Sequence, residues 1–399
     1  MNATATRTVA FVGALCVAVT VFSGCNSSGS ANTLTIQADY AHDEFAGSLF
    51  GFFPNKVTVK PGMTLKFHQT WTGEPHTVTL GTRVTELAAP FRDELDGYFN
   101  TGELGGEPEG YEGFSNGLPF FFSEQGVNQT AAQPCLARTA AQLPADGSAC
   151  PNTTLAPFDG TEVYYSSGFI PFEGSRGNTF DLPISSDTKP GTYLYYCNLH
   201  GAPMGGEITV TADGAASKQS ALNRQAKREA DRMAEALLEV YRDEKAGRAK
   251  FKGNIAGSGD ERTADVFGVV NEFTPRTIRA AVGEKVTWTM IGHNLSFNVP
   301  PYAPIFIVKD GGEVAFNNQL DEPAGGWPGR APPLSDDPDA PPPRPVHVEA
   351  GNFDGSGGFK SNGTGWATGD TYSITFTKKG TYPYACIVHP GMIGKVVVK

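Results

Sequence analysis

The chain has 399 residues, enough for two or three domains with cores of their own. Its 48 Gly and 29 Pro, with charged residues at 18%, speak against a helical protein and for an all-β chain with many turns and long loops. The net charge of −11 argues against nucleic acid, because neutralising phosphates takes clustered Lys and Arg, and is compatible with a basic protein partner.

The N-terminus reads as an export signal. Arg7 precedes an apolar run over residues 9–22, too short to span a bilayer comfortably as a mature helix. It ends in Phe22-Ser23-Gly24-Cys25 before a polar tract. Small residues before a Cys resemble a bacterial lipoprotein cleavage site, although Phe22 stands where Leu is usual. Residues 1–25 are thus expected to be the signal, and Cys25 the lipid-bearing first residue of an exported, membrane-anchored cell-envelope protein. No other segment is long and apolar enough to cross a bilayer.

From residue 33 the pattern is strand-like, and it occurs twice. Phe53-Pro54-Asn55-Lys56-Val57-Thr58-Val59, a Gly62 turn and Thr64-Leu65-Lys66-Phe67 parallel Phe273-Thr274-Pro275-Arg276-Thr277-Ile278-Arg279, Gly283 and Val286-Thr287-Trp288. Alternating apolar residues around a Gly turn predict strand, turn, strand. Ser167-Gly168-Phe169 is echoed by Gly357-Gly358-Phe359, and the strand Gly191-Thr192-Tyr193 by Gly380-Thr381-Tyr382. The repeated unit is a whole domain, over residues 33–212 and again 260–399.

Between the copies, residues 216–248 have almost no Gly or Pro. Leu222, Ala226, Ala230, Met233, Leu237 and Tyr241 recur at helical spacing, which predicts an amphipathic linker helix packed on a neighbouring barrel. Each copy also carries a long insertion. Residues 82–161 hold Phe120-Phe121-Phe122 and the pair Cys135 and Cys150, a natural disulfide in an oxidising compartment, stabilising by roughly 3 kcal/mol. Residues 300–346 hold the Pro-rich insertion with Pro341-Pro342-Pro343.

The remaining cysteines explain the repeat. Cys197-Asn198-Leu199-His200 leads to Met204, and Cys386-Ile387-Val388-His389 leads to Met392. Each copy offers one more His just after its matched strand pair, His76 and His293. A thiolate, two imidazoles and a weak axial thioether serve Cu(I) and Cu(II) about equally well, so redox cycling requires little rearrangement. Zinc would leave the Met without a role. His42, His68 and His347 have no partner at ligand spacing and read as surface or packing residues.

On these motifs the chain resembles the cupredoxins, the type 1 blue copper proteins, with plastocyanin, amicyanin and pseudoazurin nearest in loop style. The resemblance covers residues 50–80, 165–212, 265–298 and 355–399. It implies two Greek-key β-sandwich domains joined by the helix, with type 1 copper ions on His76, Cys197, His200 and Met204 and on His293, Cys386, His389 and Met392. It also implies electron transfer to redox partner proteins through the exposed edge of His200 or His389, beside a docking patch of Ala202, Pro203, Pro390 and Gly391.

Two other functions fit the motifs less well. A nitrite reductase or laccase-like copper oxidoreductase needs extra His ligands and a His directly before the type 1 Cys. Tyr196 and Ala385 stand there, and of seven His only three are uncommitted. A copper storage or delivery protein would be rich in Met or Cys, and the chain has six Met. The expectation is an electron carrier and not an enzyme.

Overall fold

The computed structural model describes residues 32–89, 122–123, 126–170, 178–263, 266–317, 347–361 and 369–399. The signal with Cys25, Phe120-Phe121 and the Pro341-Pro342-Pro343 run lie outside them.

Period-two patterning sets the strands. Thr33–Ala38 alternates partly buried and buried residues, as does Lys56–Val59, so each strand turns one face to a core. Thr33–Ala38 runs parallel to Thr64–Gln69, and that sheet is completed by Thr179–Pro183 and Phe52–Phe53. A second sheet orders Lys56–Val59, Gly201–Val210, Gly191–Cys197, Thr79–Leu80, Tyr164–Ser167 and Pro134–Ala137. Leu34, Ile36, Leu65 and Phe67 from the first sheet and Val57, Val59, Tyr195 and Ile208 from the second share one buried cluster. That makes a sandwich.

The second half repeats these pairings. Asn254–Ala256 runs parallel to Lys285–Met290, Thr277–Ala280 parallel to Ile393–Val398, and Gly380–Ala385 antiparallel to Ile393–Val398. Its core gathers Trp288, Tyr372, Phe297, Phe376, Tyr384 and Val396, all essentially buried. Full burial of such a side chain contributes roughly 1.5–3 kcal/mol. Asn254–Ala256 takes in this half the parallel pairing that Thr33–Ala38 takes in the first.

The helix runs over Gln219–Lys245, shorter than 216–248 at both ends. It stops in a Schellman turn. Gly247, at φ 69°, donates to the Glu244 carbonyl and Arg248 to that of Asp243, which satisfies the last carbonyls. Leu222, Ala226, Ala230, Met233, Leu237 and Tyr241 are all buried. From Ala226 onward they pack with Phe45, Leu49, Phe53 and Val270. Buried Glu229 accepts from the Asn55 amide at 3.0 Å. The helix is therefore part of a core, not a free tether.

The halves are further knitted together. Gly47–Leu49 pairs antiparallel with Gly268–Val270, and the Gln129 side chain bonds both the amide and the carbonyl of Val314 at 2.8 Å. By contact density, Asn32–Lys399 forms one compact unit. Among the described residues no helix is long and apolar enough to cross a membrane.

Candidate metal centres

In the first half, His76 is held by a backbone bridge to Ile170, whose amide donates to the His76 carbonyl at 2.8 Å. Ile170 directly follows the repeated Ser-Gly-Phe block, so that block locks the upstream His. Cys197 ends the strand Gly191–Cys197, and a register shift beside it lets the chain turn through His200 and back at Gly201, φ 71°. Cys197 Sγ then lies 3.9 Å from His76 Nδ1 and 3.5 Å from His200 Nδ1, and the two Nδ1 atoms are 3.1 Å apart. The Thr77 amide points at the sulfur at 3.3 Å, and the Thr77 hydroxyl accepts from the Asn198 amide at 2.8 Å.

The second half builds the same triangle. Cys386 Sγ is 3.8 Å from His293 Nδ1 and 3.3 Å from His389 Nδ1, with the Nδ1 atoms 3.0 Å apart. The loop is closed by the Cys386 amide donating to the Met392 carbonyl at 3.0 Å and the Met392 amide to the His389 carbonyl at 3.1 Å. Among the described residues these two triads are the only groups of three or more His, Cys, Asp or Glu able to hold a metal.

Met204 and Met392 are buried, each in the same apolar cluster as its half's Cys. Cys135 and Cys150 form a disulfide with Cα atoms 5.5 Å apart. His42, His68 and His347 lie away from both triads; they contact Phe45, Gln37 and Thr371.

With every Nδ1 turned inward, three of the four Nε2 atoms face groups that the motif reading missed. His76 Nε2 lies 3.2 Å from the Asp39 carboxylate, both fully buried. His293 Nε2–H donates to the Val270 carbonyl at 2.8 Å. His389 Nε2 lies 3.5 Å from the Glu74 carboxylate. Such partners fix the tautomer and ring orientation of a ligand imidazole. Glu74 stands two residues before His76 in the sequence, but nothing in the sequence ties Asp39 to a His thirty-seven residues on.

Electrostatics prepare the sulfurs. Burial opposes ionisation of Cys386, but His389 and His293 outweigh it and lower the thiol to about 5. Cys197 is likewise lowered against burial by His200 and His76. The imidazoles differ. Burial disfavours charge on His76, yet Asp39 and Cys197 raise it to about 10, whereas His293, facing a neutral carbonyl, is lowered chiefly by burial.

One buried thiolate and two converging imidazole nitrogens form a soft, borderline donor set that fits copper. Residues 346–399 match the family of copper binding proteins, the plastocyanin/azurin family. Over that stretch the chain is similar to that family. No curated protein matches the chain in sequence. Among solved structures, a reduced auracyanin from Roseiflexus castenholzii is 17% identical, covering 46% of this chain and 100% of its own, with a TM-score of 0.21. A plastocyanin from Dryopteris crassirhizoma is 16% identical over 44% and 99%, with a TM-score of 0.18. A purple cupredoxin from Nitrosopumilus maritimus is 22% identical over 37% and 97%, with a TM-score of 0.16. The cupredoxin sandwich in this chain rests on its own strand pairing and donor sets.

Of the two imidazole edges expected to be exposed, one is buried and the other partly covered. His389 is 3% exposed and its outer edge faces Glu74 of the first half. His200 is half-buried under Phe50, stacked at 4.6 Å, with Phe267 edge-on at 6.0 Å. Ala202 is buried too, so of the expected patch only Pro390 and Gly391 are fully open. The interface between the halves occupies the surface that a lone sandwich would present.

Proposed function

We propose that the chain is an electron carrier working outside the cytoplasm, with one type 1 copper centre in each half. The observation that carries this reading is the duplicated triangle of one Sγ and two Nδ1 atoms, buried except for half-buried His200. His76, Cys197 and His200, with Met204, would hold one ion; His293, Cys386 and His389, with Met392, the other. Bound copper supplies a one-electron couple. The chain's part is to hold four donors in a geometry that suits both oxidation states, so that little has to move when an electron arrives.

The surroundings support transfer rather than substrate turnover. The Thr77 amide lowers electron density on the Cys197 sulfur, and the aromatic cores behind both Cys residues exclude water. The Cys135–Cys150 disulfide suits an oxidising compartment. Lipidation at Cys25 would tether the carrier to the membrane, and redox proteins would dock near Pro390 and Gly391.

The test is to load the mature chain with Cu(II), count bound copper, and record the thiolate-to-copper absorption with and without Cys386→Ser. Two ions per chain, bleaching reversibly with ascorbate, and loss of half the absorption in the variant are expected. A single ion, or loss of the whole signal, would overturn the two-centre reading.

A further inference from the structure

Glu74 belongs to the first half, two residues before the ligand His76, yet its carboxylate faces a ligand of the other half. Glu74 Oε1 lies 3.5 Å from His389 Nε2, and the side chains are 18% and 4% exposed. The approach is built into the backbone. Gly73 has φ 109°, and a Cβ there would run into the Val388 carbonyl and lie 2.9 Å from Pro390 Cδ, so the loop preceding His76 lies directly on the Cys386–Met392 loop. The Glu74 carbonyl is itself fixed by the Gln69 side chain at 2.7 Å.

From this geometry we infer that Glu74 is a positioning residue acting across the interface, by which the first half completes the second metal centre. The inference rests on the copper reading of the two triads. His389 Nε2 is buried and makes no hydrogen bond among the described residues; the Glu74 carboxylate 3.5 Å away is the charge that faces it and favours a proton on Nε2, which keeps Nδ1 free for the metal position beside Cys386. Two of the other three ligand rings take their outer partners from within their own halves: Asp39 for His76, and Val270 for His293. The second centre is thus incomplete without the first half, and its properties are tied to the loop that carries a ligand of the first.

The experiment uses the full mature chain and its Glu74→Gln and Glu74→Ala variants, loaded with Cu(I). Proton–nitrogen correlation spectra of the histidine rings report the His389 Nε2–H directly, and transfer to a Cu(I) chelator reports the release rate of each centre. A slowly exchanging, downfield His389 Nε2–H is expected in the parent, moved in Glu74→Gln and lost in Glu74→Ala. Release from the second centre should quicken about 10-fold in Glu74→Ala, and less in Glu74→Gln, which keeps an acceptor of the same length. The His76 ring and the first centre's release rate should stay as they were. An unmoved His389 signal, or equal acceleration at both centres, would overturn the inference. If the parent chain takes no copper at Cys386, the copper reading fails instead. The His389 ring signal of the metal-free chain with and without Glu74 then decides the positioning role by itself.

Discussion

Asp39 Oδ2 stands 3.2 Å from His76 Nε2, and neither side chain has any contact with solvent. Asp39 is saturated: Oδ1 accepts from the amides of Tyr40 and Leu49 at 2.6 and 3.0 Å, and Oδ2 also takes the Thr72 hydroxyl at 2.8 Å. A carboxylate so held cannot swing away, and it enriches the imidazole that faces the metal position.

Replacing Asp39 by Asn keeps the shape but removes the charge and one acceptor. The first centre should then favour its reduced form by roughly 1–2 kcal/mol, the difference between a charge-assisted and a neutral hydrogen bond. Its copper affinity should fall about 10- to 100-fold. Spectroelectrochemistry resolving both centres checks this: only the first potential should rise. A common shift at both would mean a global effect.

Much of this arrangement was legible in the sequence because it is local. Period-two patterning marks Lys56–Val59 and Lys285–Met290 as strands, and Cys-x-x-His spacing fixes two donors on one turn whatever surrounds them. The upstream histidines were legible through duplication. What the sequence hid is non-local. Asp39 reaches His76 because Thr33–Ala38 lies parallel to Thr64–Gln69, and Glu74 reaches His389 only through packing of the halves. Pairing of Gly47–Leu49 with Gly268–Val270 has no pattern strong enough to read, since three-residue strands carry almost no periodicity. The burial of His389 was hidden for the same reason: it comes from the packing of the first half against the Cys386–Met392 loop.

Met204 is buried in the same apolar cluster as Cys197. Leu fills a similar volume, so Met204→Leu should cost under about 1.5 kcal/mol in stability. Loss of an axial thioether should still raise the first centre's potential while the second stays fixed. A stable variant with an unshifted potential would leave Met204 a packing role only.

Glu244 gives a pH dependence remote from both centres. Burial is the main cause that raises its carboxyl to about 7, against the Ser258 contact and the Gly259 amide. Its Oε1 accepts that amide at 3.2 Å, and Oε2 has no hydrogen-bond partner. Because the folded value lies above the unfolded one, the favourable contribution is full below pH 4.5 and is lost as pH rises through about 7. Glu244→Gln should therefore be more stable than the parent at pH 8 by about 1–2 kcal/mol, after allowance for solvent screening, and nearly equal to it near pH 4.5. Urea denaturation of the metal-free chains at both values checks the sign; a gap that grows toward low pH would refute it.

The duplicated halves differ at one telling position. Asp39 follows the strand Thr33–Ala38 and Gly257 follows Asn254–Ala256, and both backbones are left-handed, at φ 60° and 90°. In the first half that position supplies the carboxylate for His76. In the second, a Cβ on Gly257 would collide with the Ile291 carbonyl and come within 2.6 Å of the His293 ring, so the space is filled by the imidazole, and the Val270 carbonyl becomes its partner. Gly257→Ala must therefore strain the backbone by about 1–3 kcal/mol and push His293 out of line with Cys386. The second centre's thiolate-to-copper absorption should weaken or shift, and unfolding should occur at lower temperature, while the first centre's band is retained. An Ala variant with two unaltered bands would show that His293 does not depend on the missing side chain at 257, and the proposed contrast between the halves would fall.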